Sequence, residues 1–438
     1  MNFDESVSYL YSLGNEVLAM KLGLASTEKL LAALGNPEKN FLKIQVAGTN
    51  GKGSTCAFLE AVCQTAKINV GFYSSPHLIS ITERIRINGN NITEKKFAEH
   101  ATKIKKISEK LVEKDELTAP PTFFEQVTAI AVSAFAQSKV DLAILETGLG
   151  GRFDSTTAAR AEIIGITPID FDHQNILGET LEKIAAEKAA VIRSDTKVVV
   201  AVQNPQAQRI IQKVCEKFSV TPNLTNFIEE IIGIDERNRF IVNFQTAKAN
   251  YKNVHLNLLG RHQIENAKAA ILLVETLQES GFKITTENII KGLQTAQHKG
   301  RLEFWRDTKP TILFDGAHNA AGARALREFL DEFVKEKITL VFGSMGDKDL
   351  SEIAKILFPK AEAIIFTMPD NPRSMIAEDL LKFLPDIFEK QKVFLTPTVE
   401  QALKKAREIS HETDLVCIAG SIYLVGEAQK VLRKSVHA

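Results

Sequence analysis

The chain has 438 residues, 44% of them hydrophobic and 25% charged, the balance of an ordinary globular protein but more chain than one hydrophobic core usually supports. Lysine plus arginine and aspartate plus glutamate each total 54, which excludes a global basic field for nucleic acid and leaves anion binding to a few placed groups. No basic region precedes an apolar run at the amino terminus, and no apolar stretch approaches the roughly 20 residues that span a bilayer. Cys56, Cys63, Cys215 and Cys417 lack zinc spacing. The expectation is a cytoplasmic protein with reduced thiols and neither nucleic-acid nor membrane partners.

From residue 41 onward, short apolar runs alternate with segments of helical period, the pattern of an α/β chain. Residues 42–47 read as a buried strand and 52–66 as the helix after it. Strands are predicted at 70–73, 140–146 and 163–167, with a helix at 123–137. Helices at 180–192 and 206–218 flank a strand at 198–202. Between 227 and 259 the character changes, and β-like runs at 239–244 and 254–258 among Asn and Asp turns predict a small antiparallel sheet. Amphipathic helices follow at 262–279 and 286–295. A second α/β series begins near Arg301, with strands at 311–314, 338–342, 363–367, 393–395 and 415–418. The boundary is placed within 297–300, dividing residues 1–298 from 299–438.

The loop Gly48-Thr49-Asn50-Gly51-Lys52-Gly53-Ser54 lies between the first strand and its helix. A glycine-rich turn in that place lets backbone N–H groups converge on phosphate oxygens, the helix dipole adds to this, and the lysine brings a full charge. The general pattern is GxxxxGK[ST], whereas here the hydroxyl comes two residues after Lys52. The plain alternative is a tight turn opening a helix, but the strand, helix and lysine together favour a phosphate loop. An ATP site also needs Mg²⁺, which prefers oxygen donors. Glu146 ends an apolar run and precedes Thr147-Gly148-Leu149-Gly150-Gly151-Arg152, the strand-end position where α/β ligand sites form and where carboxylates also simply cap helices.

Further segments follow in order: Ser74-Ser75-Pro76-His77-Leu78, Glu83-Arg84-Ile85-Arg86-Ile87, Asp172-His173, Glu187-Lys188, Asp315-Gly316-Ala317-His318-Asn319 and Gly420-Ser421-Ile422-Tyr423. With them the chain resembles the folylpolyglutamate synthase and dihydrofolate synthase family of the Mur ligase superfamily, from about residue 40 to about residue 425. The resemblance implies an α/β fold. An N-terminal P-loop ATPase-like domain should hold a mainly parallel sheet plus the small antiparallel sheet, followed by a smaller Rossmann-like domain, with ATP in the cleft. It also implies a reaction: a pteroate or folate carboxylate takes the γ-phosphoryl group of ATP, and the amine of L-glutamate attacks the acyl phosphate to leave an amide. A bifunctional monomer using 7,8-dihydropteroate and reduced folates is the expectation.

By position, the resemblance assigns Gly48 to Ser54, Asn266, Arg301 and Asp315 to ATP, with Lys52 on the β- and γ-phosphates. Ser75 and Glu146 should hold a first Mg²⁺ and His173 a second, whereas without the motif His173 reads as a cap or core histidine. Lys188 should carry a carbamate from CO₂, where an unremarked helix lysine would be exposed. It precedes Ala189-Ala190, where relatives have Ala-Gly, which bears on helix packing there. Thr122, Phe123, Phe124 and Glu125 should border the pterin site, with one of the two phenylalanines stacking on the heterocycle or both serving as core. Arg152 and Asp154 belong to the same substrate side, where Thr157 replaces an Asn of relatives, and His77 falls on a loop expected to close over folate. His318 and Ser421 should place the glutamate, while Asp315 and Asn319 also suit capping of the next helix.

A P-loop kinase or NTPase acting on another acceptor explains Lys52 and Glu146 but leaves Lys188, His318 and the second domain idle. A catalytically dead nucleotide-binding protein is disfavoured by the intact loop, Glu146 and His173. A peptidoglycan-type ligase would be expected to carry a further N-terminal nucleotide-sugar domain, whereas the phosphate loop starts by residue 48.

Overall fold

Apolar runs that recur between helices come together as an eight-stranded sheet in a computed structural model describing residues 1–14, 23–385 and 388–436. Its strands are β1 (Leu42–Ala47), β2 (Val70–Tyr73), β3 (Ile85–Ile87), β4 (Asn90–Asn91), β5 (Leu142–Glu146), β6 (Ile163–Ile166), β7 (Lys197–Val200) and β8 (Asn223–Leu224). The order is β4-β3-β2-β5-β1-β6-β7-β8, antiparallel only where β3 meets β2 and β4. Parallel strands are covered on both faces, which is why they read as unbroken apolar runs. Helices Lys52–Thr65, His262–Glu279 and Thr286–Thr295 cover one face through Phe58, Val62, Ile271 and Ile289. Helices Glu94–Glu113 and Phe123–Gln137 supply Phe97, Ile104, Val127 and Ile130 to a second core.

Strands β9 (Ile228–Ile234), β10 (Phe240–Gln245) and β11 (Asn250–His255) form the small antiparallel sheet, whose Phe240, Val242, Phe244 and Val254 join the first core. The third sheet contains β12 (Glu303–Trp305), β13 (Thr311–Asp315), β14 (Ile338–Phe342), β15 (Ala363–Thr367), β16 (Val393–Thr396) and β17 (Leu415–Ala419). Its order is β12-β13-β17-β14-β15-β16, parallel apart from β12. The α/β fold class and both kinds of sheet agree with the sequence reading.

Differences are local and have physical reasons. The predicted strand at 140–146 starts at Leu142, because the Val140 N–H closes the preceding helix on the Phe135 carbonyl. The helix predicted at 180–192 ends at Ala189, with Ala190 as its cap at φ −64°. That right-handed conformation suits alanine, so no glycine is needed there. The run at 254–258 forms its strand earlier, at Asn250–His255, where polar Asn250, Lys252 and Asn253 face solvent and hide the alternation. Helices Phe3–Ser12, Ala25–Ala33 and Glu94–Glu113, and strand β9, have no counterpart among the predicted elements. All four cysteines are buried and free, and no helix among the described residues is long and apolar enough to cross a membrane.

Candidate active site

The phosphate loop opens helix Lys52–Thr65 from the carboxyl end of β1. Gly51 caps that helix at φ 84° with no side-chain cap, leaving first-turn N–H groups for an anion. A Cβ on Gly51 would fall 2.1 Å from Asn266 Oδ1, and one on Gly48 (φ 148°) would fall 1.9 Å from Thr167 Oγ1. Glycine is required at both positions by backbone angle and by space. Lys52 Nζ donates to the Gly48 and Thr49 carbonyls at 3.1 and 3.0 Å.

Around this loop stand titratable groups that burial has shifted. Glu146 is the last residue of β5, 7% exposed; burial raises its carboxyl, opposed by Lys52, Arg301 and the Ser75 N–H. Lys188 is 5% exposed and donates to the Gly48 carbonyl at 2.7 Å. Burial, then the charge of Lys52, pushes its amine down to about 7. His173 is held neutral, down to about 4, chiefly by burial, with Asp172 opposing. Its backbone is left-handed at φ 51°, and its buried Nδ1 has no hydrogen-bond partner.

Asp172 joins the two halves of the chain. Its Oδ1 accepts from Lys348 Nζ at 2.6 Å; its Oδ2 accepts from Asn319 Nδ2 at 3.3 Å and lies 3.6 Å from His318 Nε2. Burial works against its charge, but His318, then Lys348 and His173, hold the carboxyl far below its ordinary value. Asn319 Nδ2 also donates to Asn50 Oδ1 at 3.1 Å, so the second sheet domain touches the phosphate loop directly.

Two cavities meet at this point. The polar one is lined by Thr49 to Ser54, Glu146, Asp172, Lys188, Asn266 and Asp315. The other, richer in apolar surface, is lined by Thr122, Phe124, Leu149, Phe153, Asp154 and Ser421. Ser75, Leu149, His173, Arg301 and His318 are among the residues that line both. A metal ion fits only in a particular way. No group of three or more His, Cys, Asp or Glu side chains among the described residues makes a self-sufficient cage. One carboxylate, one hydroxyl and an imidazole with an unpartnered nitrogen instead suit an ion that takes its other donors from phosphate and water.

The remaining predicted residues separate. Phe124 lines the apolar cavity, whereas Phe123 is 1% exposed, stacked on Tyr11 at 5.3 Å and covered by the Arg84 guanidinium. Asp154 accepts from the Gly148, Leu149 and Thr156 N–H groups and shapes the turn after β5. Asp315 accepts from the Leu302 and Ala317 N–H groups and Asn319 caps helix Ala320–Phe333. His77 and Arg152 line neither cavity. His77 Nδ1 accepts from Arg84 Nε at 2.8 Å, and Arg152 Nε donates to Glu187 at 2.9 Å. Thr157 keeps its polar contacts, donating to the Gly151 carbonyl at 2.7 Å and accepting from Gln45 at 2.8 Å.

Sequence reasoning passed over Met345, Lys348, Arg373 and Tyr423 in the apolar cavity and His262, Gln263 and His298 in the polar one. Tyr423 stood in a quoted motif without a role, and Lys348 lies in a charged Asp347-Lys348-Asp349 turn beyond the carboxyl end of β14, which by itself reads as solvated surface.

Comparison with known proteins agrees with this architecture. The Mur ligase middle domain matches residues 46–274, and the Mur ligase glutamate ligase domain matches residues 300–422. The dihydrofolate synthase/folylpolyglutamate synthase of Bacillus subtilis (strain 168) is 36% identical over 428 residues, covering 96% of this chain and 97% of that one. The chain belongs to the dihydrofolate synthase/folylpolyglutamate synthase family. The Escherichia coli (strain K12) member is 30% identical over 427 residues, 97% of this chain and 94% of the relative. Among solved structures, Mycobacterium tuberculosis folylpolyglutamate synthase complexed with ADP aligns at a TM-score of 0.89 with 27% identity, over 98% of this chain and 99% of that one. E. coli FolC in complex with DHPP and ADP aligns at 0.87 with 28% identity, over 100% and 99%.

Proposed function

We propose that this chain is an ATP-dependent ligase that joins L-glutamate to a pteroate or folate carboxylate through an acyl phosphate, serving as both dihydrofolate synthase and folylpolyglutamate synthase. One observation carries the reading. The cavity holding Lys52, Glu146 and Lys188 opens through Ser75, Arg301 and His318 onto an apolar cavity with an aromatic wall. Phosphate chemistry and a flat heterocycle are thereby brought end to end. Relatives with ADP, with DHPP, and with Mn, AMPPNP and L-glutamate support the same pairing of ligands.

In this reading the loop from Gly48 to Ser54 cradles the phosphates and Lys52 neutralises the transferring group. Asn266, Arg301 and Asp315 complete the nucleotide site. Ser75 and Glu146 would hold one divalent ion and His173 a second, and such ions would supply charge neutralisation at the phosphates. Thr122 and Phe124 hold the pteridine, with Asp154 shaping that wall and His77 and Arg152 supporting it from behind. His318 and Ser421 place the glutamate so that its amine approaches the activated carboxyl carbon. A carbamate on Lys188 turns an unfavourable buried amine into an anion beside the ion sites. The division into residues 1–298 and 299–438, a monomeric state and a cytoplasmic setting belong to the same proposal.

The test is ADP release in the presence of ATP, Mg²⁺, L-glutamate and either dihydropteroate or tetrahydrofolate. Release that requires both the pteridine and glutamate is expected. ATP turnover indifferent to both would sink the reading.

A further inference from the structure

The roles above leave two imidazoles of the nucleotide cavity, His262 and His298, without a task, and His298 is the one that meets the phosphate loop. His298 lies in the segment joining helix Thr286–Thr295 to β12, the passage from the first sheet domain to the second. That segment is pinned on both sides. Asn257 Nδ2 donates to the Ala296 carbonyl at 2.9 Å; beyond His298, the Leu302 N–H donates to Asp315 at 2.9 Å and the Gly316 N–H to the Gly300 carbonyl at 2.8 Å. Between the pins the His298 ring meets the phosphate loop, its Nδ1 3.1 Å from Ser54 Oγ. A Cβ on Gly53 would come 2.7 Å from His298 Cε1 and 3.3 Å from Glu146 Oε1, so the bare backbone of Gly53 lets both approach.

The direction of the hydrogen bond follows from its neighbours. Gln263 Oε1 accepts from Asn266 Nδ2 at 2.9 Å, which orients the amide so that its Nε2 donates to Ser54 Oγ at 3.2 Å. With Gln263 donating to it, Ser54 Oγ has its one proton free to give to His298 Nδ1. Burial, then the charges of Arg301 and Arg86, keeps the ring neutral, down to about 3, a state in which Nδ1 is able to accept the Ser54 proton.

We propose that His298 is a positioning residue for the nucleotide: by accepting the Ser54 hydroxyl it steadies the phosphate loop and ties the interdomain segment, with Arg301 three residues on, to that loop. Arg301 lines both cavities, so its placement bears on the nucleotide and on the carboxylate to be activated. The proposal rests on the polar cavity being a nucleotide site, and its test is separable from the ligase reading.

Calorimetric titration with ADP and Mg²⁺ needs neither folate nor glutamate. His298→Phe keeps a ring but removes the acceptor, and is expected to weaken ADP binding about tenfold, the scale of one hydrogen bond. In turnover the same variant should raise KM for ATP about as much, leave kcat within about twofold and leave KM for glutamate unchanged. His298→Asn, with a polar atom near the Nδ1 position, should recover most of the loss. Adding His298→Phe to Ser54→Ala should cost no more than Ser54→Ala alone. Wild-type ADP affinity in His298→Phe, additive losses in the double variant, or a parent protein that does not bind ADP would each overturn the proposal. A parent that binds ADP but ligates nothing removes the ligase reading and leaves His298 tested by the titration.

Discussion

The two cavities differ in how their walls are made, and the difference explains what each can do. The nucleotide cavity is built largely from one continuous loop and from groups at the ends of β5 and β13, positions that a parallel sheet holds rigidly. Ser54, Gln263 and Asn266 are hydrogen-bonded in a chain, and Lys52 and Lys188 both hold the Gly48 carbonyl, so much of it is organised before any ligand arrives. The apolar cavity is built from turns after β5, β14 and β15 together with the amino terminus of helix Phe123–Gln137. Both cavities take walls from both sheet domains, held together at Asp172, but the apolar one adds the turns after β14 and β15, so its shape depends more on how those domains sit. The first cavity grips, and the second selects.

The sharpest way to break this comparison is to disable one cavity and ask whether the other survives. Lys52→Ala and Glu146→Ala should each lower turnover about 1,000-fold or more, since each removes charge aimed at the transferring phosphoryl group. Pteridine binding, followed by fluorescence or calorimetry, should persist in both variants, with unchanged thermal melting. Loss of pteridine affinity along with turnover would show that the cavities are one site and not two joined end to end.

A smaller effect, roughly 100-fold, is expected for Lys188→Met, a second-rank electrostatic contribution. Here pH sharpens the comparison. The Lys188 amine is pushed down to about 7, whereas an unfolded lysine titrates near its ordinary 10.5. Below about pH 7 both states hold the proton, and the full cost of burying it is present. As pH rises from about 7 towards 10.5, the unfolded chain still binds the proton and the folded one does not, so stability increases. Carbamate formation joins the free amine to CO₂ and releases a proton, so at fixed dissolved CO₂ activity should fall as pH drops through 7. A carbamate resonance from ¹³C-bicarbonate should appear in the parent and vanish in Lys188→Met. A parent without that resonance would refute the carbamate.

Phenylalanines 123 and 124 test the apolar cavity alone. Phe124→Ala should raise KM for the pteridine about tenfold with a smaller loss of stability, because its ring is only partly buried and lines the cavity. Phe123→Ala removes a buried ring and should cost about 3–5 kcal/mol of stability. Equal effects of the two on KM would remove the distinction between cavity wall and core.

The nucleotide end was legible in the chain because its chemistry is contiguous. A strand, a glycine turn, Lys52 and a helix follow one another, and Glu146 ends a plain apolar run. Sequence spacing could not separate Phe123 from Phe124, because adjacent helix residues diverge by about 100° and the direction of the core is a tertiary fact. His298 escaped notice for a different reason. It is an isolated histidine in a linker, and its partner Ser54 lies 244 positions away. Lys348 sits in a turn of three charges that reads as solvated surface until Asp172 is brought to 2.6 Å from it. Groups that work within one element announce themselves; groups that work across the cleft do so only when the sheets are assembled.

The smallest expected effect falls on the wall that backs both cavities. Thr157 is buried, and its hydroxyl links the Gly151 carbonyl to Gln45 Nε2. Gln45 Nε2 also has Thr147 and Thr156 hydroxyls at 3.1 and 3.0 Å, more acceptors than its two protons can use. The Gly151 carbonyl also accepts from the Asp154 N–H at 3.2 Å. Thr157→Val, close in shape but without the hydroxyl, therefore strands neither partner and should cost only about 1 kcal/mol, read from the chemical denaturation midpoint. Thr157→Asn adds volume at a buried position and should cost more, about 1–3 kcal/mol. Both should leave KM for the pteridine within about twofold, since a loss of about 1 kcal/mol spread over a buried turn moves no cavity wall far. A tenfold rise in that KM without a stability change would mean that the hydroxyl reaches the substrate, and the backing wall would become part of the selecting cavity.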